Sequence, residues 1–161
     1  MGTIEDIIKQ KKFTDEYQKA LIGVSSLASM LEYTQLKFFK QFEITPQQYN
    51  VLRILRGQYP KPAMVSLVKE RMIDQNSDAS RIVERLRKGY FVERVVNEID
   101  RRAVDIIITQ KGLDLLKKID RILSDVKDPI RTLDKVEIVD FNEMLDKILS
   151  RWLKAEEENL A

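Results

Sequence analysis

The residues that interrupt helices are scarce in this chain and are concentrated in its middle. Its 161 residues include only five glycines and four prolines. Four of these lie close together in the sequence, at Gly57, Pro60, Pro62 and Gly89. Because glycine and proline are the strongest local signals for turns and helix ends, long helices are predicted in both flanks and shorter elements in the centre.

Both flanks have apolar residues at the spacing of an α-helix. From Ile4 to Phe42 they recur every three or four positions, as expected for helical structure with one buried face. The same spacing begins after Thr109, a predicted N-cap, and continues to Pro129. A last helix is predicted from about Asp134 to Glu158. Its apolar stripe consists of Ile138, Phe141, Leu145, Ile148 and Trp152.

The centre predicts three helices followed by a hairpin. Thr45 is the expected N-cap of the first helix, with Pro46 at the first helical position, where its missing N–H costs nothing. Asn76 or Ser77 is expected to cap the third helix. The three helices are predicted at about residues 46–57, 63–72 and 78–88. Two runs rich in β-branched and aromatic residues, at 90–96 and 103–109, flank a polar segment and predict an antiparallel hairpin.

Composition excludes several classes of site. The chain has neither histidine nor cysteine, which removes zinc fingers, histidine or cysteine nucleophiles, thiol-based sensors and disulfides. Neither a metal nor another cofactor is expected. The net charge of +2 is too small to attract nucleic acid by itself, so any such attraction depends on where the charges lie. The sequence has no apolar run of about 18 residues, as a membrane span requires, and a soluble, cytoplasmic protein is predicted.

The order helix, short helix, helix and hairpin is the layout of a winged helix-turn-helix, in which one helix enters the DNA major groove. The outward face of the third predicted helix offers short hydroxyls and guanidinium groups, which suit phosphates and base edges. The alternative for Arg81 and Arg85 is a solvated helix face beside Glu84, and for Asp100 and Arg102 an ion pair at the hairpin tip. The predicted DNA-binding residues are Ser66, Asn76, Ser77, Asp78, Ser80, Arg81, Arg85, Asp100, Arg101 and Arg102.

A specific resemblance lies in the same region. The run SDASRIVERLRKGYFVER at 77–94, followed by DRRA at 100–103 and TQKG at 109–112, resembles the MarR family of dimeric winged-helix transcriptional regulators. The resemblance implies that the helix at 77–88 reads the major groove. It also implies that Asp100 orients Arg102 in the minor groove and that the outer helices form a dimer.

The sequence departs from the usual family pattern just before the predicted recognition helix. Lys69 stands where a small residue is common, and the segment Arg71–Asp74 lacks the glycine typical of the turn. Because the chain lacks cysteine, family members that sense oxidants through a cysteine cannot serve as a guide to its regulation.

The predicted architecture is a single, mainly α domain over residues 1–161. Within it, 45–109 form a winged helix-turn-helix lobe with a small antiparallel β-hairpin wing, and the long helices of 1–42 and 110–158 form a dimerisation lobe. Family members often bind a ligand between such lobes, and a noncovalent small-molecule effector is the candidate signal. The aromatic candidates for its pocket are Tyr17, Tyr33, Phe38 and Tyr49; the alternative is that they are ordinary core aromatics.

The predicted function is a homodimeric repressor that binds a pseudo-palindromic operator in double-stranded DNA. The alternative from another class is a winged-helix dimer that serves as a protein-interaction module without specific operator binding. An enzyme is not expected, because only carboxylate, lysine, tyrosine or serine chemistry remains and no catalytic constellation is present.

Overall fold

The computed structural model describes residues 2–74, 76–97, 104–123 and 129–160. The chain forms two compact units, Met1–Lys118 and Ile119–Ala161. Within the described ranges, no helix is long and apolar enough to cross a membrane. The elements in chain order are α1 (Ile4–Ile8), α2 (Glu16–Lys40), α3 (Pro46–Gln58), β1 (Ala63–Met64), α4 (Val65–Arg71), α5 (Ala79–Lys88), β2 (Val92–Val96), β3 (Val104–Ile108), α6 (Gln110–Leu123), a 3-10 turn (Pro129–Thr132) and α7 (Lys135–Leu160).

The amino-terminal flank is helical as predicted, but it consists of two helices. Lys9 adopts a left-handed conformation with φ of 54° and ends α1. The second helix, α2, begins at a new N-cap, Asp15, whose carboxylate accepts a hydrogen bond from the Gln18 amide. An ion pair between Lys19 and Glu5, 2.6 Å apart, links α1 to α2. The four residues between Ile8 and Phe13 are all polar, so the apolar spacing is interrupted at this break.

The first central helix, α3, begins as predicted. The Thr45 hydroxyl accepts a hydrogen bond from the Gln48 amide, and the Gln48 side chain accepts one from the Thr45 amide. This reciprocal pair satisfies two backbone donors that the helix leaves without partners. Val51, Leu52 and Leu55 on α3 are buried and form part of the core of the first unit.

A three-stranded antiparallel sheet follows, in the order β1-β3-β2. The hairpin of β2 and β3 confirms the prediction, with Val92 opposite Ile108 and Val96 opposite Val104. The strand β1 was missed, because residues 63–72 were predicted to be entirely helical. Ala63 pairs with Ile106, and a two-residue strand is too short to show a period of two.

One apolar core lies under α3, α4, α5 and the sheet. Its fully buried members come from every one of these elements, and α6 adds one more. They include Val51, Leu52, Val68, Val83, Leu86, Val92, Ile106 and Leu116. The core holds the two central helices α4 and α5 and the hairpin in fixed positions, which is the condition for a precise binding surface.

Thr109 joins the hairpin to α6 as the predicted N-cap. Its hydroxyl accepts a hydrogen bond from the Gly112 amide and donates one to the Tyr90 carbonyl. Gly112 lies so close to the preceding turn that a Cβ there would be 2.5 Å from the Phe91 carbonyl oxygen. The helix predicted to continue to Pro129 is described as far as Leu123, and residues 124–128 lie outside the described ranges.

The second unit contains the whole of α7, which agrees closely with the predicted last helix. Asp134 caps it, accepting hydrogen bonds from the amides of Val136 and Glu137. Ile138, Phe141 and Leu145 are half-buried. Other apolar side chains of the helix stay more than half exposed within a single chain: Val136, Val139, Met144, Ile148, Leu149, Trp152 and Leu153.

Candidate nucleic-acid interface

Core packing fixes which side of α5 faces solvent. Ala79, Val83 and Leu86 are buried on the inner side. Ser80, Arg81, Arg85 and Lys88 are exposed on the outer side. This division follows from the 3.6-residue period of the helix, and it confirms the two faces expected from the sequence.

The cap of α5 differs from the prediction. Asn76 and Ser77 were predicted to cap the helix, but the N-cap is Asp78, whose Oδ1 accepts a hydrogen bond of 3.0 Å from the Arg81 amide. The two residues predicted as caps instead donate hydrogen bonds to Asp74. Its carboxylate accepts hydrogen bonds from the Asn76 amide at 3.0 Å and from the Ser77 hydroxyl at 2.7 Å, so the helix starts later than expected.

Side chains hold the turn before α5, which has no glycine. The Ile73 amide donates to the Asn50 side-chain oxygen at 3.1 Å, and Met72 is buried in the core. Asp74 organises the residues that follow, as described above. Side-chain acceptors on α3 and in the turn thus hold a segment where the usual family pattern has a glycine.

Five of the predicted DNA-binding residues line one open groove of about 480 Å³ between α4 and the start of α5. These residues are Ser66, Asn76, Ser77, Asp78 and Ser80. Lys69 also lines the groove and lies on the same side of α4 as Ser66, because residues three apart are neighbours on a helix. From the sequence, Lys69 and Ser66 could contact phosphates, and plain solvation is the alternative for both.

The arginines of α5 and β2 fall into two groups. Arg81 and Arg85, four residues apart on one side of α5, make no ion pair with a residue that the structure describes. Arg87 and Arg94 both bind the carboxylate of Glu84. The Arg87 guanidinium donates two hydrogen bonds to it, of 2.8 and 3.0 Å, and Arg94 Nη2 lies 3.2 Å from Glu84 Oε2.

This ion-pair cluster changes the pKa values of Glu84 and Arg87. The hydrogen bonds from Arg87 lower the pKa of Glu84, and the charges of Arg87 and Arg94 add to the effect. Glu84 in turn raises the pKa of Arg87. The sequence indicated the i, i+3 spacing of Glu84 and Arg87, but the approach of Arg94 depends on how β2 packs beside α5.

A lysine from α6 supports the far end of α5. Lys111 Nζ donates a hydrogen bond of 2.9 Å to the carbonyl oxygen of Gly89, the C-cap of α5. The same ammonium lies 4.8 Å from the centroid of the Phe91 ring. A cation at a helix C-terminus stabilises the last carbonyls and the helix dipole. Sequence reasoning missed this contact, because the two residues are far apart in the chain.

The hairpin strands contain a buried carboxylate near their loop end. Asp105 on β3 is buried, and its Oδ2 accepts a hydrogen bond of 2.9 Å from the Asn97 side chain. Its Oδ1 is buried and has no hydrogen-bond partner among the residues that the structure describes. The predicted wing-tip residues Asp100, Arg101 and Arg102 lie outside the described residues, so their contact with DNA stays a prediction.

The aromatic residues predicted for a ligand pocket do not line one cavity. Tyr33 lines an open groove of about 540 Å³ with Leu36, Lys37 and Ile44 among its walls. Phe38 and Tyr49 instead pack against the buried ring of Phe39, with centroid distances of 5.1 and 4.4 Å. Tyr17 is exposed on α2.

Comparisons with known proteins identify relatives of the same kind. No family model matches the chain. The chain is 25% identical over 122 residues to the HTH-type transcriptional regulator PecS of Dickeya dadantii, covering 72% of this chain and 74% of that protein. AbsC of Streptomyces coelicolor, a MarR family transcriptional regulator, has a similar structure with a TM-score of 0.78 and 20% identity, over 90% of this chain and 99% of that one.

A third similar structure is a complex of S. aureus MepR with DNA, with a TM-score of 0.71 and 17% identity, over 81% of this chain and 94% of that one. Together these similarities confirm the resemblance to MarR-family regulators and the mainly helical winged-helix fold. PecS and AbsC are transcription regulators, the class of protein predicted for this chain.

Proposed function

We propose that this chain, a winged-helix transcription regulator of the MarR type, acts as a homodimeric repressor that binds a pseudo-palindromic operator in double-stranded DNA. One observation carries the proposal: the outer side of α5 presents Arg81 and Arg85, which pair with no described carboxylate, on a helix fixed by the core. MepR of S. aureus, with the same fold, has been solved with DNA bound, which supports this function. Operator binding would place the protein in the cytoplasm.

The reading helix in this proposal is α5. A guanidinium group binds guanine or a phosphate with two parallel hydrogen bonds, so Arg81 and Arg85 are the residues proposed to enter the major groove. The hydroxyl and amide groups around the groove between α4 and α5 are proposed to hold the DNA backbone. These are Ser66, Asn76, Ser77 and Ser80, with Asp78 as the helix cap.

The hairpin is the proposed second contact. In this proposal Arg102 enters the minor groove, Asp100 orients it and Arg101 binds the backbone. The distance between α5 and the hairpin tip then determines at which position along the duplex this second contact lies.

Exposed apolar faces support the homodimer. On α2 the exposed apolar side chains are Tyr17, Leu21, Val24, Met30, Tyr33 and Leu36, and on α7 they include Met144, Ile148, Leu149 and Leu153. Contiguous apolar patches are uncommon on the surface of a monomer and mark interaction sites. We assign residues 1–42 and 110–158 to dimerisation and 45–109 to DNA binding. Two-fold symmetry then places the half-sites about one helical turn, roughly 10 bp, apart.

A noncovalent effector remains part of the proposal. The groove beside Tyr33 combines apolar walls with the charged side chains of Lys37, Lys40 and Glu43, which suits a small, largely apolar molecule with a polar group. Such a ligand regulates DNA binding only by its difference in affinity between the DNA-competent and incompetent states.

Substitution of Arg81 tests the proposed function. Arg81→Ala is expected to weaken binding to a selected operator by about 1–3 kcal/mol and to relax the preference for the base that it contacts. Arg53→Ala is the matched control, because Arg53 is an exposed arginine on α3 that lies over the Tyr49 ring. Equal operator affinities for the two variants, measured by fluorescence anisotropy, would exclude Arg81 from DNA reading.

A further inference from the structure

The carboxylate of Glu84 determines which arginines beside α5 are available for DNA. Arg81 and Arg85 make no ion pair within the described ranges, whereas Arg87 and Arg94 share Glu84. We infer that Glu84 is a specificity-determining residue that keeps Arg87 and Arg94 from the DNA phosphates. This inference rests on the proposed function, since it concerns the same DNA-binding surface.

The geometry of Glu84 leaves little capacity for another partner. Its Oε1 accepts a hydrogen bond from Arg87 Nη2 at 2.8 Å, and its Oε2 accepts one from Arg87 Nε at 3.0 Å. Arg94 Nη2 approaches the same Oε2 at 3.2 Å. The two arginine side chains come from different elements, α5 and β2, so one carboxylate holds together two cations that would otherwise repel each other.

The held arginines are accessible enough to bind DNA if they were released. The side chains of Arg87 and Arg94 are 45% and 55% exposed, against 32% for Glu84. Long arginine side chains reach phosphates readily, and phosphate contacts occur on any sequence. Two additional phosphate contacts would therefore strengthen binding to every duplex and reduce the share of the affinity that depends on bases.

The position of Glu84 on α5 explains why its charge affects discrimination. Its carboxylate binds Arg87 and Arg94, which leaves Arg81 and Arg85 without an ion pair to it and available for the groove. Arg87 keeps its Nη1 group and Arg94 keeps Nε and Nη1 for a phosphate, but a phosphate bound there lies beside the negative charge of Glu84. Like charges at short distance oppose such an arrangement, so the cluster disfavours binding that relies on the backbone alone.

Glu84→Gln provides the test, because it keeps the size of the side chain and removes its charge. We expect the plot of log affinity against log salt concentration to steepen by about 0.9 for each arginine that gains a phosphate. We expect affinity for a scrambled duplex to rise more than affinity for a selected operator, so that discrimination falls several-fold. In the double variant Glu84→Gln/Arg94→Gln, the slope should return part of the way to its wild-type value.

Glu93→Gln is the matched control. Glu93 is exposed on β2 next to Arg94 but on the other face of the strand, and it makes no ion pair with a described residue. This variant changes the net charge by the same amount, so it measures the general effect of charge. Thermal unfolding of each variant shows whether the fold is kept.

The possible outcomes separate the two proposals. If Glu84→Gln steepens the salt dependence no more than Glu93→Gln, the inference is overturned. Weaker binding to both duplexes with an unchanged slope would also overturn it, because it would show that Glu84 only positions β2. A wild-type protein that fails to discriminate between duplexes contradicts the proposed function instead, while the slope on the scrambled duplex still tests Glu84.

Discussion

Single residues set the geometry at the junction between the hairpin and α6. The α-carbon of Gly112 faces the turn between α5 and β2. A Cβ there would lie 2.5 Å from the Phe91 carbonyl oxygen and 2.7 Å from Ile108 Cγ1. Backbone cannot move aside as a flexible side chain does. Gly112→Ala is therefore expected to destabilise the protein by about 1–3 kcal/mol, the usual cost of overpacking.

Gly57 on α3 gives the opposite expectation and serves as the control. No atom lies within 4 Å of a Cβ placed there, and alanine restricts the unfolded chain more than glycine does. Gly57→Ala should raise stability by about 0.4–1 kcal/mol. Chemical denaturation of the two variants measures both effects, and a Gly112→Ala protein as stable as the wild type would contradict the close packing described at this turn.

Residue-level features were predictable where they depend on neighbours in sequence. The caps Thr45 and Thr109 were identified because a capping residue acts on amides within the next turn. The cap of α5 was misplaced, since Asp74 binds both Asn76 and Ser77 and no simple rule decides between competing acceptors. The sharing of Glu84 between α5 and β2 depends on tertiary packing, which periodicity does not describe.

At the level of elements, α1 depends on one ion pair with α2. Lys19 donates a hydrogen bond to Glu5 and lowers the pKa of Glu5 from 4.5 to about 2. Because the folded-state pKa is depressed, the contribution to stability is present above pH 4.5 and is lost as the pH falls through about 2. A carbon-detected NMR titration should find a Glu5 midpoint near 2, and Lys19→Gln should raise it towards 4.5. A midpoint that does not respond to Lys19→Gln would contradict the ion pair.

Element types were more predictable than element ends. The hairpin was recognised because two β-branched runs flank a polar segment, and the pairing of Val92 with Ile108 confirms it. The strand β1 and the break between α1 and α2 were missed. Each involves a few residues whose conformation depends on a partner elsewhere: Ala63 on Ile106, and Glu5 on Lys19.

On the scale of the whole molecule, the proposed dimer predicts that α7 supports assembly. Ile148 is 59% exposed within one chain, so a charge there has little effect on the fold of a single copy but would be buried in the dimer. Ile148→Glu is expected to shift the protein from dimer to monomer at micromolar concentration, as measured by sedimentation velocity. Ser150→Glu adds the same charge on the opposite side of α7 and should leave the dimer intact; equal behaviour of the two variants would argue against an interface on the Ile148 face.

The winged-helix architecture and the direction of α5 could be predicted from the sequence, because helix period, capping residues and β-branched runs are local signals. Which arginines are available to bind DNA could not be predicted from the sequence. Arg81 and Arg87 each lie three residues from Glu84 in the sequence, and only the structure shows that the carboxylate binds Arg87, together with Arg94 from β2.

The most direct test of the central claim is selection of bound duplexes from a random pool by the wild-type protein, followed by titration of the enriched duplex and a scrambled one at several salt concentrations. We predict enrichment of an inverted repeat with half-site centres roughly 10 bp apart. We also predict two chains per duplex and at least about a thousandfold preference over the scrambled sequence. Absence of enrichment, with equal and weak binding to both duplexes, would contradict operator recognition and favour the protein-interaction module.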